Sequence, residues 1–324
     1  MIVPSQAPAG GRLDRLLDSL AEQTVLHETI VIDNASPGRS VTETAARYDF
    51  ADVVTLDRNA GFSEPMNIGA RRASTGTLVL VNDDCVCDPD FVERLIAPLD
   101  PSNGVVMSSG VLRDWRYPDL IDSAGMELDR TLLVYDYLNG EPFSILTERP
   151  ADPIGPSPKA AAYDRDAFLA VDGFDENLFA YWEDVDLALK LLEAGGTCRL
   201  APDAIGVHEH SATLGSGSSE KNYLTGFGRG YVLRKWGVAT PRRLPSILAR
   251  DIVVVGGQAV IDRTLSGARG RLQGWRAATP SHAFPETVAA TGGGSPFVRN
   301  LRRRLERRRL IAAGRRDAGG GDRS

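Results

Sequence analysis

The chain has 324 residues, 42% hydrophobic and 25% charged, which is the composition of an ordinary globular protein. This composition excludes a disordered chain, a collagen-like fibre and a small disulfide scaffold. The apolar stretch from Ile252 to Ile261 has ten residues between two aspartates, whereas a membrane span needs about 20. No basic and apolar leader stands before Pro4. We therefore expect neither a transmembrane helix nor a signal peptide.

The net charge of −6 conceals two oppositely charged parts of the chain. Residues 220–324 carry 21 Lys and Arg against 7 Asp and Glu, and residues 1–219 are strongly acidic. The basic part lacks interleaved aromatic residues and any zinc-finger or helix-turn-helix pattern, so we expect no nucleic-acid partner. The three cysteines show no framework spacing, which favours buried free thiols in a reducing, cytoplasmic compartment.

The first 110 residues alternate helix and strand patterns. Four leucines between positions 13 and 20 recur at helical spacing. Short apolar runs at 29–32, 53–56 and 77–81 predict buried strands, and Asp88-Pro89 predicts the start of a helix that carries Phe91. This alternation predicts an α/β fold with a parallel sheet flanked by helices, which binds ligands at the carboxyl ends of its strands.

Beyond residue 110 the pattern changes. Residues 111–180 are less periodic and predict the strands and loops of an acceptor wall. A helix is predicted after Trp182-Glu183-Asp184, and a strand over 197–200 follows it. The Ser/Gly-rich residues 211–219 predict a linker, and helical patterns follow. We therefore expect an α/β domain over 1–215 in two halves, 1–110 and 111–215. A helical extension over 216–295 and a basic tail over 296–324 follow.

Two acidic sequences are candidates for a functional site. Asn82-Asp83-Asp84 follows the most apolar strand, and carboxylates at a strand end can bind a hard divalent cation. A solvated turn explains this sequence equally well. Glu183-Asp184 begins a helix after Tyr181 and Trp182, where a carboxylate in an aromatic-lined cleft can act as a general base. Helix capping is the alternative explanation.

Two further patterns are weaker by themselves. His208-Glu209-His210 can bind a metal, although a buried histidine explains it as well. Asn59-Ala60-Gly61-Phe62 allows close approach of the backbone to a ligand, although an ordinary turn also needs glycine. Neither pattern is a GxGxxG sequence or a phosphate-binding loop, so the sequence does not support a dinucleotide or ATP site.

The order of the motifs is more specific than any one of them. The matching segments are Ile30 to Ser36, Asn59 to Phe62 with Asn67-Ile68-Gly69, Leu80 to Asp84, Gly173 to Glu176, Trp182 to Leu187, and His208. In this order they resemble the inverting glycosyltransferases of family 2, most closely the bacterial rhamnosyltransferase-like branch. The likeness covers residues 1 to about 240. It implies a GT-A fold: a Rossmann-like mixed sheet flanked by helices, with a mostly helical C-terminal extension. The first strand departs from the family pattern, because only Met1-Ile2-Val3 precede Pro4-Ser5.

The resemblance also implies a role for each matching residue. The residues expected to bind the donor are Pro4, Asp33, Asn34, Asn59, Gly61, Asn67, Asn82 and Asp83. Asp84 and His208 are the expected metal ligands, and Tyr181 and Trp182 are expected to bind the acceptor. Asp184 is the expected general base, with Glu183 as the second candidate. The implied cofactor is Mg²⁺ or Mn²⁺, which neutralises the departing nucleoside diphosphate.

The implied reaction moves a sugar from a UDP- or dTDP-sugar, for example dTDP-rhamnose, to a hydroxyl of a cell-envelope glycan or lipid-linked acceptor. Such an enzyme would serve cell-wall polysaccharide synthesis. Two alternatives are a nucleotide-sugar-binding scaffold without turnover and a nucleotidyltransferase, for which Gly10-Gly11-Arg12 is a weak echo of a phosphate loop.

The arginine-rich segment 299–309 has two explanations. It predicts a peripheral anchor on the anionic inner face of the cell membrane, helped by apolar helix faces within 244–261. The alternative is a solvated tail.

Overall fold

A computed structural model describes residues 1–6, 11–209, 218–285 and 288. The strands are β1 (Ile2–Ser5), β2 (Thr29–Asp33), β3 (Ala51–Thr55), β4 (Thr77–Val81), β5 (Cys85–Cys87), β6 (Val105–Asp114), β7 (Ile121–Ser123), β8 (Met126–Leu128), β9 (Val134–Asp136), β10 (Ala160–Asp164) and β11 (Thr197–His208). The helices are α1 (Arg12–Ala21), α2 (Ser40–Ala45), α3 (Ser63–Arg72), α4 (Phe91–Ile96), α5 (Arg165–Ala170), α6 (Glu183–Glu193), α7 (Ser219–Lys235), α8 (Leu244–Gly257) and α9 (Ser266–Ala277). A π turn, Gln258–Asp262, continues α8.

The main sheet is mixed, as expected for this fold. Its path is β3-β2-β1-β4-β10-β6-β11-β5, with β7 added to β6. The strands β1 to β4 run parallel, and β10 is antiparallel to both of its neighbours. β11 runs parallel to β6 and antiparallel to β5. The short β1 lies inside the sheet, where its residues 2–5 pair with residues 30–33 of β2.

Alternation along the central strands sends side chains into two hydrophobic layers. Ile30 and Leu80 belong to the layer that includes residues of α3, α5, α6 and α7. Val31 and Val81 belong to the layer that includes residues of α1, α2 and α4. Strands that are buried on both faces in this way give the continuous apolar runs from which they were predicted.

Two predicted boundaries were wrong. α4 begins at Phe91 after Asp90, so Asp88-Pro89 lies before the helix and does not cap it. β11 is three times as long as the strand predicted over 197–200, because its pairing with β6 resumes at Ile205 after a register shift and continues to His208. The predicted linker and the basic tail lie outside the described residues, except for 218 and 219.

Helix α7 packs into the same hydrophobic layer as α6, through Val232, Trp236 and neighbouring residues. The fully buried Asp186 of α6 joins the two helices: it accepts hydrogen bonds from Lys235 Nζ at 2.7 Å and from Trp236 Nε1 at 2.8 Å. Lys235 also bonds Asp175 Oδ2 at 2.7 Å. Buried ionic and polar contacts with Lys235 and Trp236 therefore hold the start of α6 in place.

Helix α9 lies unusually close to α7. A Cβ atom added at Gly230 would stand 2.0 Å from the carbonyl oxygen of Arg271, and one at Gly274 would stand 1.9 Å from that of Phe227. Only glycine permits this approach of two helix backbones. By contrast, α8 has Ile247 as its single buried residue.

We expect Asp186→Ala to lower the free energy of unfolding by about 3 kcal/mol, because it removes the buried partner of a buried ammonium group. Chemical denaturation followed by circular dichroism measures the change. The exposed Asp49→Ala is the control, and it should change the free energy by less than about 0.5 kcal/mol. Equal effects of the two substitutions would contradict a stabilising role for the α6–α7 contact.

Candidate active site

The polar residues of the candidate site lie where the parallel strands end. Ser5 ends β1, Asp33 ends β2, and Asn82-Asp83-Asp84 follows β4 directly. His208 ends β11, which runs parallel to β6. This is the edge at which open α/β sheets bind ligands.

The pairing of β11 with β5 brings His208 to Asp84. His208 stands opposite Cys85 in the antiparallel register, and the Glu209 amide donates to the Asp84 carbonyl at 2.9 Å. His208 Nε2 lies 3.3 Å from Asp84 Oδ1. Both side chains are buried. An imidazole nitrogen and a carboxylate oxygen at this separation can share one divalent cation.

Asp122 orients the histidine from the other side. Its Oδ2 lies 2.9 Å from His208 Nδ1 and 3.3 Å from Lys159 Nζ. A carboxylate on Nδ1 fixes the tautomer that leaves Nε2 as a metal ligand. Burial would lower the pKa of His208, but the hydrogen bonds with Asp122 and Asp84 raise it above the usual value. A proton and a cation therefore compete for Nε2.

The chemistry of the donor set fits a hard divalent cation. The ligand atoms of Asp84, Cys85 and His208 lie within 4.8 Å of one another. Burial raises the pKa of the Cys85 thiol well above its usual value, so the thiol stays protonated and is a poor ligand. The Oδ1 atom of Asn82 is buried and has no hydrogen-bond partner among the described residues. Asp84 and His208, with oxygen ligands from a bound molecule, suit Mg²⁺ or Mn²⁺.

Asp83 lies beside this pair and is bound to the first strand. Ser5 Oγ donates to Asp83 Oδ2 at 2.5 Å. Burial, together with the charge of Asp84, raises the pKa of Asp83 to about 6, although the Ser5 hydrogen bond opposes the shift. Arg12 lowers that pKa in part, so a cationic group is also present near the turn. Pro4 pairs with Ile32 one residue before the site edge.

Several predicted donor-binding residues organise loops in this structure. Asp33 is fully buried, and its carboxylate accepts from the Ser36 amide at 2.8 Å and from Thr42 Oγ1 at 2.6 Å. Because the side chain is fully buried, a direct bond from Asp33 to a nucleotide base would require the residues that cover it to move. Asn34 donates to Asn59 Oδ1 at 3.1 Å and so holds the loop that follows β3.

This loop is also joined to the acceptor side. The Phe62 amide donates to the Phe179 carbonyl at 2.7 Å. Gly61 has φ +78°, and a Cβ atom there would lie 2.1 Å from the same carbonyl, so no other residue fits. Asn67, predicted to bind the donor, turns away from the cation ligands. Its side chain bonds both the amide and the carbonyl of Phe174 at 2.9 Å, and it therefore positions the 173–176 loop.

The acidic pair lies at the start of α6. Tyr181 and Trp182 precede it with φ of 68° and 79°, a left-handed conformation that costs a non-glycine residue about 1–3 kcal/mol. Glu183 is buried, and its Oε2 has no hydrogen-bond partner among the described residues. Asp184 is half-buried, and its Oδ1 accepts from the Val185 amide at 2.8 Å.

Burial dominates the electrostatics of this pair. It raises the pKa of Asp184 to about 6, with a further contribution from the charge of Asp136. Burial and the charge of Asp184 raise the pKa of Glu183 well above its usual value. Lys159 connects the two parts of the site, because it bonds Asp122 and its charge also acts on Asp184. The cleft thus combines a cation site with a carboxylate that titrates near neutral pH.

The two aromatic residues predicted to bind the acceptor differ in exposure. Tyr181 is half-buried, and Lys221 Nζ lies 5.6 Å from its ring centre. Trp182 is buried, and a Cβ atom at Gly228 would lie 2.5 Å from Trp182 Cδ1. In this conformation Trp182 packs against α7, and Arg229 stands over its ring at 5.5 Å. Tyr181 remains available to a bound acceptor.

A groove of about 770 Å³ opens elsewhere. It is lined by Asn67, the 171–176 loop, Lys190 and Glu193, and it contains none of the cation ligands. Glu193 lies at the opposite end of α6 from Asp184, about two and a half turns away. This groove therefore lies apart from the cation ligands.

Sequence analysis missed Asp122 and Lys159. Asp122 lies within the short buried strand β7, and Lys159 immediately precedes β10. The only sequence signal was a lone aspartate among apolar residues after Leu120, and a lone aspartate is too common to be interpreted. Only the pairing of β7 with β6 brings it near β11.

Comparison with known proteins agrees with this geometry. The family model described as Glycosyl transferase family 2 matches residues 4–168. An "Uncharacterized glycosyltransferase" of Haemophilus influenzae is 29% identical over 197 residues, 60% of this chain and 61% of its own length. The "Uncharacterized glycosyltransferase YwdF" of Bacillus subtilis is 25% identical over 181 residues, 53% and 60% of the two chains. The alignments thus span about three fifths of each relative.

Two solved structures share the fold. GalNAc-T7 with UDP, GalNAc and Mn²⁺ superposes with a TM-score of 0.59 and 17% identity, covering 84% of this chain and 55% of that chain. The mannosyltransferase PcManGT from Pyrobaculum calidifontis, in complex with GDP-Man and Mn²⁺, gives a TM-score of 0.52 and 19% identity, covering 99% and 80%. The expected GT-A fold is thereby confirmed.

We expect Asp122→Asn to weaken the binding of Mn²⁺, in the presence of a nucleoside diphosphate, by about 10- to 100-fold, because His208 loses the carboxylate that orients it. Isothermal titration calorimetry measures the affinity. The exposed Asp119→Asn, in the same segment, is the control and should bind as the parent does. Unchanged affinity in Asp122→Asn would remove His208 from the cation site.

Proposed function

Since the chain belongs to glycosyltransferase family 2, we propose that it transfers a sugar from a nucleoside diphosphate sugar to an acceptor hydroxyl. The observation that carries the proposal is the position of Lys159, which bonds Asp122 beside the cation ligands and is close enough to Asp184 for its charge to act on that carboxylate. A scaffold that only binds a donor has no need of a half-buried carboxylate whose pKa is near 6. Of the weak phosphate-loop echo of the nucleotidyltransferase alternative, Gly11 immediately precedes α1 and Arg12 begins it, and Gly10 lies outside the described residues.

Donor binding is proposed at the strand ends. Asp84 and His208 would hold Mg²⁺ or Mn²⁺, which when bound neutralises the donor diphosphate and stabilises it as a leaving group. Asp83, held by Ser5, would contact the ribose or the diphosphate. The Asn34–Asn59 contact shapes the neighbouring loop against which the nucleoside would rest.

Acceptor activation is proposed at the start of α6. Asp184 would accept the proton of the attacking hydroxyl, because it is the more exposed member of the pair and its Oδ2 is not used by the Val185 amide. Glu183 would stay protonated beneath it, given its burial and strongly raised pKa. A single displacement with the hydroxyl on the face opposite the leaving group inverts the anomeric carbon.

The proposed donor is a UDP- or dTDP-sugar. The GT-A neighbours in complex with UDP or GDP-Man support a nucleotide donor in general, without fixing the base or the sugar. The resemblance to rhamnosyltransferase-like members makes dTDP-rhamnose the first donor to test. A cell-envelope glycan or a lipid-linked sugar is the proposed acceptor.

Incubation with a panel of nucleotide sugars and Mn²⁺ should release free nucleoside diphosphate from one donor. We expect a chelator to abolish this release and added Mn²⁺ or Mg²⁺ to restore it, because Asp84 and His208 supply only part of a coordination shell. Release of pyrophosphate instead would favour the nucleotidyltransferase alternative. Full activity in the chelator would show that the reaction does not need the cation.

Asp184→Asn should keep the fold and the donor affinity but lower kcat by about 10²- to 10⁴-fold, as loss of a general base does. In the parent enzyme, kcat/KM should fall as the pH drops through about 6, since Asp184 must be deprotonated to accept a proton. Steady-state kinetics across pH measures both effects.

Glu183→Gln is the matched control for the base. It should retain most turnover, because a protonated glutamic acid and a glutamine make similar contacts. Near-parental turnover in Asp184→Asn together with an inactive Glu183→Gln would move the base to Glu183.

A further inference from the structure

The helix formed by α8 and its π turn has its charged residues on the side that faces the protein and its apolar residues on the outer side. Leu244–Asp262 is 19 residues long and apolar enough to cross a membrane, although almost none of it is buried. The sequence alone suggested otherwise, because Arg250 and Asp251 separate the ten-residue apolar stretch from the apolar residues before it. Both of these charges face the protein: Arg250 bonds Asp129, and Asp251 lies 3.2 Å from Arg229. The polar side of the helix is therefore its inner side.

Its outer side is a row of large aliphatic residues. We define the α8 apolar face as Leu244, Leu248, Ile252, Val253, Val260 and Ile261. Spacing by four residues places the first three on one stripe. Ile252 is 70% exposed and Val260 is 80% exposed. Single exposed apolar residues are ordinary, but a contiguous row of this length marks an interaction surface.

The exposed charges of the segment that carries this face have one sign. Exposed arginines flank it in sequence at 242 and 263, and the adjoining α9 exposes arginines at 269 and 276. The acidic residues between 236 and 285, a stretch the structure describes throughout, are Asp251 and Asp262. Asp251 is paired with Arg229, and Asp262 accepts from Asn222 at 2.9 Å. The exposed charges of this stretch are therefore basic.

This charge pattern discriminates between the occupants that could cover the face. A second copy of the chain that docked through the same face would bring basic residues against basic residues. Residues 286–324 of the same chain are also predominantly basic, with the arginines of 299–309 among them. A lipid bilayer with anionic headgroups offers both an apolar layer and negative charge. It is the occupant that complements the α8 apolar face.

The contacts of α8 also decide how the helix meets the bilayer. Crossing the membrane would break the Arg250–Asp129 and Asp251–Arg229 pairs and carry the two charges into hydrocarbon. Ile247 would leave the core as well. We propose that the α8 apolar face docks the protein on the surface of a membrane that contains anionic lipids, with α8 lying in the plane of the interface.

The test is sedimentation of the full chain with vesicles. Vesicles of equal parts phosphatidylcholine and phosphatidylglycerol should pellet the protein at low salt, more weakly at high salt because the attraction is screened. Vesicles of phosphatidylcholine alone should bind it far less. Ile252→Asp should lower the partition into anionic vesicles by about tenfold or more, because it places a carboxylate in the interface.

Leu26→Asp is the matched control, since Leu26 is a fully exposed aliphatic residue outside the α8 apolar face. It should sediment as the parent does, and denaturation curves should show all variants folded. Parental binding by Ile252→Asp would overturn the proposal and assign binding to the basic tail. Absence of binding, equal binding to neutral vesicles, or a dimer in solution that Ile252→Asp dissociates would also overturn it. None of these outcomes depends on sugar transfer.

Discussion

The antiparallel pairing of β11 with β5 is the constraint on which the site depends. β5 is only three residues long and follows the Asn82-Asp83-Asp84 turn directly. Because its register aligns Cys85 with His208, the last residue of a twelve-residue strand meets an acidic turn more than a hundred positions earlier in the chain. Asp122 then completes the arrangement from β7. A shift of one residue in this register would turn His208 to the other face of the sheet and separate it from Asp84.

The carboxylates at the start of α6 are positioned by a strained backbone and by contacts with α7. The helix begins after two aromatic residues in a strained conformation, and such strain persists only where the surroundings enforce it. Trp182 is fixed against α7, while Asp186 is bonded by Lys235, the last residue of α7, and by Trp236, which follows it. α7 therefore helps to position the acidic pair at the start of α6, although none of its residues was predicted to act in the reaction.

Polar contacts also connect the two halves of the fold. Phe62 and Asn67 of the first half bond the backbone of the 174–179 segment of the second half, and Gly61 lies against the Phe179 carbonyl. A buried amide such as that of Asn67 must satisfy its donors and its acceptor in one geometry, so it specifies a loop conformation more sharply than an apolar contact does. The loop that follows β3 and the loop that leads to Tyr181 cannot move independently while these bonds persist.

The sequence by itself determined the local and repetitive features. Apolar runs located β2 and β4, helical spacing located α1 and α6, and the acidic turn after β4 marked a candidate cation site. Those signals are short-range, so neighbouring residues suffice to carry them. Tertiary structure alone decided that Asp122 orients His208, that Asp33 and Asn67 bond loops, and that Arg250 and Asp251 face inward. Each of these depends on pairing between residues far apart in the chain, and no local pattern records which distant partner a buried polar group will meet.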